Sequence, residues 1–380
     1  MRPISWRHFD FWLLGAVAFL TIFGVTMIRS AIAGNIELVE ANTVVKQIIF
    51  AGVGFVIMVI TALIDYRYWG ALSTVLFLVT FGALGLLYLV GGALFGSSRW
   101  FAVGPILIQP SEIAKITIIL ILANFFSQKI DEIKKPRVII QSLGITFLIV
   151  FWIILQPDLS TSIVILVLWF ALLWASGLDI KQLLIAGGAG AVALGIGLPL
   201  MLLNYDPANT DTLIKPYQLE RIINFLFPNE EASYGAIYNV QQALISIGDG
   251  GWIGQGYGSG SQVQLRFLKV RHSDFIFSAL SEEFGFVGAL MVIAVLAFII
   301  YRCLRVARLS SDTFGALIAY GAATLITFQT IVNVGMNLNL LPVTGLTLPF
   351  VSYGGSSLMT LFIAIGLVES IVLRHKDLEF

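Results

Sequence analysis

Residues 269–300 read KVRHSDFIFSALSEEFGFVGALMVIAVLAFII. After a basic lead of Lys269, Arg271 and His272 and an aspartate at 274, the 26 residues from Phe275 to Ile300 carry only two charges, Glu282 and Glu283. As an α-helix that run would be about 39 Å long, more than the roughly 30 Å of a bilayer core. It reads as a membrane span with three carboxylates on or near it. A charge at mid-membrane costs about 2.5 to 3.5 kcal/mol on insertion scales, so such groups normally pair or line a watery cavity.

The rest of the chain repeats the pattern. Its 380 residues are 58% hydrophobic and 12% charged, with a mean hydropathy of +0.92, against an apolar share of about 45 to 50% in soluble domains. Apolar stretches of span length lie near 11–28, 47–64, 70–94, 110–126, 138–155, 160–176, 182–203, 275–300, 315–336 and 353–373. The expected fold is therefore an all-α integral membrane protein of about ten transmembrane helices, one polytopic domain over 1–380. Ten spans return both termini to one side. If that side is cytoplasmic, the inner segments carry Arg2, Arg7, Arg67, Lys129, Lys134, Lys135, Arg137, Lys181, Arg302, Arg305, Arg308, Arg374 and Lys376. The short outer loops then carry only Arg29, Lys46 and Arg99, the asymmetry of a positive-inside protein. Residues 204–273, between helices seven and eight, become a large extracytoplasmic loop. A cleaved signal peptide ending at Ala31-x-Ala33 fits less well, because the apolar run is long for one and Arg29 interrupts the approach to the site.

Several chemistries are disfavoured. Net charge is zero and no basic tract is exposed, so nothing points to nucleic acid. His8, His272 and His375 are too dispersed for a metal site, and neither a Ser-x-x-Lys nucleophile nor a P-loop occurs. The lone Cys303 cannot form an internal disulfide and reads as a packing residue at a helix end.

Three segments on the expected outer side are too rich in Gly, Pro and polar groups to be plain connections. They are GSSRWFAVGPILIQPSEIAK (96–115), the long loop, and NLNLLPVTGLTLPFVSYGGSS (337–357). Within the loop, YQLERIINFLF (217–227) puts Leu219, Ile222, Ile223 and Leu226 on one helical face, as an interfacial helix would. The run ISIGDGGWIGQGYGSGSQ (245–262) has seven glycines between 248 and 260; it reads either as a flexible hairpin or as backbone free to approach a bulky ligand.

Glu112 and Lys115 are three apart and share a helix face, with Lys115 about 9 Å along the axis from Gln109. Glu282 lies about 12 Å beyond Asp274. Lys115 and Glu282 thus reach similar depths, which predicts either one shared water-filled cavity or a structural ion pair. Glu283, turned about 180° from Asp274 around the helix, is read as structural. Asp274 and Asp158 both stand at outer helix starts, where each is either a simple N-cap or a group of a polar site.

The motifs RW…QPSEIAK, QPDLST, YQLERI, HSDFIFSALSEEFG and PVTGLTLPFVSYGGSS occur in the order of the SEDS family (shape, elongation, division and sporulation), which this chain resembles over nearly its whole length. The run QALISIGDGGWIGQG and the short segment ahead of the first span bring it nearer to that family's elongation branch than to its division branch. The resemblance implies a peptidoglycan glycosyltransferase of the bacterial cytoplasmic membrane. Such an enzyme polymerises lipid II on the outer leaflet, is partnered with a class B penicillin-binding protein and works within the elongation machinery. A lipid II flippase and a non-catalytic scaffold are the alternatives. The resemblance also implies that Asp274 is the catalytic carboxylate, expected to stay hydrated and ionised near the ordinary pKa of about 3.9, with Glu112, Lys115 and Asp158 in a polar cavity. The same motifs add Trp100, Gln109, His272, Glu282, Ser352 and Tyr353. Arg99, Lys115, Arg221 and Arg271 are the candidates to receive a departing pyrophosphate, and Asp158 or Asp274 the candidates to hold a divalent cation such as Mg2+ or Mn2+. The chain departs from the family at FLKVRHSD, where Leu-Pro-Glu commonly precedes the histidine, and at Ser160, where glycine is usual.

Overall fold

A computed structural model describes residues 9–95, 99–103, 106–179, 181, 182, 184, 188, 216–227 and 236–374. Helices α1 (Phe11–Ala31), α2 (Ile36–Glu40), α3 (Thr43–Leu63) and α4 (Tyr66–Phe95) lead into a small antiparallel hairpin, β1 (Phe101–Val103) with β2 (Ile106–Ile108). Then come α5 (Pro110–Gln128), α6 (Pro136–Leu155) and α7 (Leu159–Ala175). The long connection holds α8 (Pro216–Leu226), α9 (Ala236–Gly250) and α10 (Ser261–Gln264), and the chain closes with α11 (Ile276–Leu309), α12 (Thr313–Asn337) and α13 (Gly355–Val372). Among the described residues, α1, α3, α4, α5, α6, α11, α12 and α13 are long and apolar enough to cross a membrane, and α7 is a shorter apolar helix. These nine coincide with nine of the ten expected spans. The seventh, 182–203, lies almost wholly outside the described residues, as do His8 and His375.

The spans form a centre and a ring. The α5, α12 and α13 spans are 72%, 67% and 78% buried, whereas α1, α3, α4, α6 and α11 are between 28% and 39% buried. The inner helices bear the polar residues that hydrocarbon excludes, among them Glu112 and Lys115 on α5 and Gln329, Asn333 and Asn337 on α12. The ring helices turn Val, Leu, Ile and Phe outward, such as Val53 and Phe55 on α3 and Leu78 and Val79 on α4. Close approach of α3 and α13 rests on small residues: a Cβ at Gly366 would stand 2.6 Å from the Met58 carbonyl oxygen, and one at Gly54 would collide with the Phe362 ring.

Charges sort between the two ends of the bundle. At one end Arg302 meets Asp10 (Nε to Oδ2 2.6 Å), whose backbone N–H donates to Glu369. Arg67 meets Asp312 at 3.5 Å, Arg374 meets Asp65 at 3.4 Å, and Lys134 meets Asp179 at 2.9 Å. Cys303 is buried at this end, in the packing role its position suggested. The other end gathers the segments 99–103, 106–109, 265–274 and 338–354 with α8 to α10. Lys46 and Arg99 belong there, with Arg221.

Candidate active site

The irregular end encloses a cavity of about 470 Å³. Its wall is built from Lys46 and Phe50 of α3, Arg99, Trp100 and Leu107 around the hairpin, Gln109 and Glu112 at the start of α5, and Asp158, Ser160 and Thr161 at the start of α7. Arg221 of α8, Asp274 ahead of α11, and residues of the 344–357 segment including Tyr353 complete it. Three helices, α5, α7 and α13, therefore begin at this one cavity. The positive ends of α5 and α7 are met within the chain, by Glu112 in the first turn of α5 and by Asp158 capping α7. α13 starts at Gly354-Gly355 with no side-chain cap of its own.

Asp158 caps α7 through Thr161 N–H (3.1 Å) and Thr161 Oγ1 (2.9 Å), and its Oδ2 also accepts from Gln109 Nε2 (3.1 Å) and Ser111 Oγ (3.4 Å). One carboxylate thus ties the starts of α5 and α7 together. Ser160, in the family's glycine position, donates to the Thr344 carbonyl at 2.5 Å and anchors the opposite wall. Arg99 closes the end of α6, donating to the carbonyls of Gln156 (2.8 Å) and Pro157 (2.6 Å). Lys115 is fully buried against Glu112 at 2.6 Å, while Glu112 Oε2 is buried without a hydrogen-bond partner. Arg221 reaches the carbonyls of Val343 and Thr344, both at 3.3 Å.

Asp274 is not a helix cap. The N-cap of α11 is Phe275, with no side-chain capping bond. The Asp274 carbonyl instead accepts from the side-chain amides of Asn333 and Asn337, each at 3.1 Å, and Asn337 Oδ1 accepts from Ser278 N–H and Oγ in the first turn of α11. Two asparagines one turn apart on α12 thus fix the backbone and leave the carboxyl facing the cavity. Opposite it, Gly345 has φ +81°, a left-handed value suited to glycine, and a Cβ there would lie 3.7 Å from Asp274 Oδ2. The expected hydrated surface position is corrected: burial pushes the Asp274 carboxyl above the ordinary aspartate value, against the lowering effects of a Ser273 hydrogen bond and the Arg221 charge. The 344–347 segment and α8 wall it in, leaving Asp274 half-buried where its place in the sequence implied an open surface.

Eight of the predicted residues line this cavity: Arg99, Trp100, Gln109, Glu112, Asp158, Arg221, Asp274 and Tyr353. Lys115 stands behind Glu112. Ser352 lies beneath, donating to the Ser273 carbonyl at 2.7 Å and accepting from Leu348 N–H at 2.8 Å. His272 is bound to the floor by its carbonyl, which accepts from Tyr353 N–H at 2.9 Å. Burial and neighbouring Arg271 hold its imidazole below the usual histidine value, hence neutral at neutral pH. Arg271 and Glu282 are elsewhere, contrary to expectation. Arg271 is buried against the Ala31 and Leu268 carbonyls, and that burial lowers its pKa. Glu282 faces α9 and α10, not Lys115. Depth along two helices matched, but depth does not fix the direction a side chain takes around the axis. Lys46, read from sequence only as a topological charge, is a cavity cation; Asn333 and Asn337 were also missed, although two asparagines four apart in an apolar span were a visible signal.

Among the described residues no three His, Cys, Asp or Glu side chains come together as metal ligands, and Asp158 already accepts four hydrogen bonds.

The arrangement defines a class: a multi-pass membrane protein with a polar cavity at one end, lined by the cations Lys46, Arg99 and Arg221 and the carboxylates Glu112, Asp158 and Asp274. The model of the FtsW, RodA and SpoVE family, described as "Cell cycle protein", matches residues 11–377; the chain belongs to this family, the SEDS family. It is 33% identical over 329 residues to stage V sporulation protein E of Bacillus subtilis, covering 86% of each chain. It is 32% identical over 380 residues to a probable peptidoglycan glycosyltransferase FtsW of Trichlorobacter lovleyi, covering 97% of this chain and 94% of that one. A chain in a structure described as "Structural coordination of polymerization and crosslinking by a peptidoglycan synthase complex" superposes with a TM-score of 0.79 at 27% identity, covering 97% of this chain and 99% of that one. The rod shape determining protein RodA of Thermus thermophilus superposes with a TM-score of 0.68 at 26% identity, covering 98% and 99%.

Proposed function

We propose that this protein is a peptidoglycan glycosyltransferase that polymerises lipid II, with Asp274 as general base. The observation that carries the reading is the cavity itself, where the half-buried Asp274 carboxyl shares a wall with Lys46, Arg99, Arg221 and the uncapped start of α13. The 4-hydroxyl of a lipid-linked GlcNAc attacks C1 of MurNAc on a second lipid-linked chain. The new C1–O4 bond is β-1,4, the C1–O bond to undecaprenyl pyrophosphate breaks with inversion, and the hydroxyl proton passes to Asp274. A raised carboxyl pKa suits that transfer, since a base works best with a pKa near the operating pH. Lys46, Arg99 and Arg221, with the start of α13, are placed to receive the charge of the departing pyrophosphate. Asp158 and the Glu112–Lys115 pair hold the wall in shape.

In this reading 1–380 is one membrane domain of the bacterial cytoplasmic membrane, with both termini in the cytoplasm and residues 204–273 and the cavity outside. A class B penicillin-binding protein is the partner, as a peptidoglycan synthase complex in the superposed structure suits. The QALISIGDGGWIGQG run favours work in elongation. Cysteines replacing Lys134 and Lys269 should react with an impermeant thiol reagent from opposite faces of intact cells; reaction from the same face would sink the topology. Purified protein in vesicles, supplied with labelled lipid II, should make glycan. Label crossing the bilayer without polymer would mark a flippase, and neither outcome, even with the partner present, a scaffold.

A further inference from the structure

α11 is interrupted. At Gly285 the backbone adopts φ +66° and ψ −165°, a conformation open to glycine, and the helical hydrogen-bond ladder breaks there. The glycine-rich run after α9 repairs the break. Gln255 N–H donates to the Glu282 carbonyl (2.9 Å) and Gly256 N–H to the Glu283 carbonyl (3.0 Å), while Phe286 and Val287 donate to the carbonyls of Gly251 (2.9 Å) and Trp252 (3.1 Å). A Cβ at Gly250 or Gly254 would collide with the carbonyls of Ser281 and Glu283. The glycines thus bring the loop onto the protein's own helix, not onto a ligand, and they do not form a free hairpin.

The splice brings the fully buried Glu282 against the start of α10, whose N-cap is Gly260 and has no side chain to satisfy the first amides. Glu282 supplies the missing acceptors. Its Oε1 accepts from Gln262 N–H (2.7 Å) and Ser261 Oγ (3.3 Å), and its Oε2 from Val263 N–H (3.3 Å). There is no room for more at Gly260, where a Cβ would lie 2.8 Å from Glu282 Cδ. From α10 the chain runs directly to Asp274. It is held midway by Arg271 on the Ala31 carbonyl and at its end by Ser352 on the Ser273 carbonyl.

We propose that Glu282 is a positioning residue: by capping α10 from the neighbouring helix it fixes the 261–274 connection and so holds Asp274 in the cavity it does not itself touch. The proposal rests on the reading of Asp274 as base. It explains why a carboxylate is kept in the span at 282, since its three donors are backbone and hydroxyl groups of the very segment that must be ordered.

The test uses the full-length protein with its class B partner. Nitroxides on Lys269→Cys and Asn42→Cys report the segment, and a pair on Asn42→Cys and Asp131→Cys controls for the bundle; the native Cys303 is buried and does not compete. Glu282→Gln keeps the volume but loses the charge and one acceptor. It should broaden the 42–269 distance distribution, leave 42–131 unchanged, and lower kcat for glycan synthesis by about 10 to 100-fold with KM for lipid II within about twofold. Gly260→Ala presses on the same contact from the other side and should act alike, which carries the test if Glu282→Gln does not fold. Asp274→Asn should leave the 42–269 distribution narrow. A wild-type distribution in the folded Glu282 or Gly260 variants, or a broadened one with normal turnover, overturns the proposal. If the wild-type complex makes no glycan, the functional reading fails, while the distances still show whether Glu282 orders the segment.

Discussion

Asp274→Asn should reduce glycan synthesis by about 10² to 10⁴-fold, the usual worth of a general base, and should not destabilise the protein. The two halves of this expectation come from the same environment. The folded-state pKa of Asp274 is raised above its unfolded value by burial. The ionised carboxylate therefore subtracts stability at neutral pH, and that penalty begins to shrink as pH falls through the raised value and is gone below the unfolded-state value. A neutral asparagine removes the penalty, so the variant's thermal midpoint should equal or exceed that of the wild type. A capping aspartate would predict the reverse, a loss of roughly 0.5 to 2 kcal/mol with catalysis retained. The rate profile carries the same sign: turnover needs the ionised base, so the acid limb should lie above that of an ordinary aspartate. A limb at the ordinary aspartate value, or a stability loss without a rate loss, would contradict the assignment.

Lys115→Met should be the most destabilising single change among the cavity residues, by about 3 to 5 kcal/mol, because it strands Glu112 as a buried charge. The pair is 2.6 Å apart, Lys115 is fully buried, and Glu112 Oε2 already lacks a partner. The double variant Lys115→Met with Glu112→Gln should recover most of the loss, since removing both charges leaves nothing unpaired. Thermal unfolding of the four proteins in detergent gives the coupling energy. Additive losses would mean that the two residues act separately.

The spans were legible because apolar length is a one-dimensional property, and the helices from Phe11, Thr43 and Ile276 begin close to where composition placed them. Cations, carboxylates and the glycine-rich segments could be assigned to one end for the same reason. What the sequence did not contain was azimuth. Glu282 has the depth of Lys115, yet α11 turns it to α10, and Arg271 turns away from a cavity that Asp274, three residues on, faces. Lys46 enters only because α3 packs along α13, a contact set by Gly54 and Gly366 that composition does not reveal. Asp274's burial depends on α8 and on the 344–347 segment, remote in sequence, so its elevated pKa could not be read from neighbours in the chain.

The family's motifs supplied the rest, and the geometry gives them physical roles. QPDLST is a helix start whose aspartate binds two helices; SYGGSS is a helix start left uncapped toward the cavity; HSD is a loop whose aspartate is pinned by its own carbonyl.

The central claim is that Asp274 deprotonates an attacking sugar hydroxyl in a polymerising enzyme. The most direct test is the glycan made from purified lipid II by the reconstituted complex with its class B partner, the partner's transpeptidase blocked, resolved on a gel for wild type and Asp274→Asn side by side. Long chains from the wild type and none from an equally well folded variant are the predicted result; long chains from Asp274→Asn would contradict it.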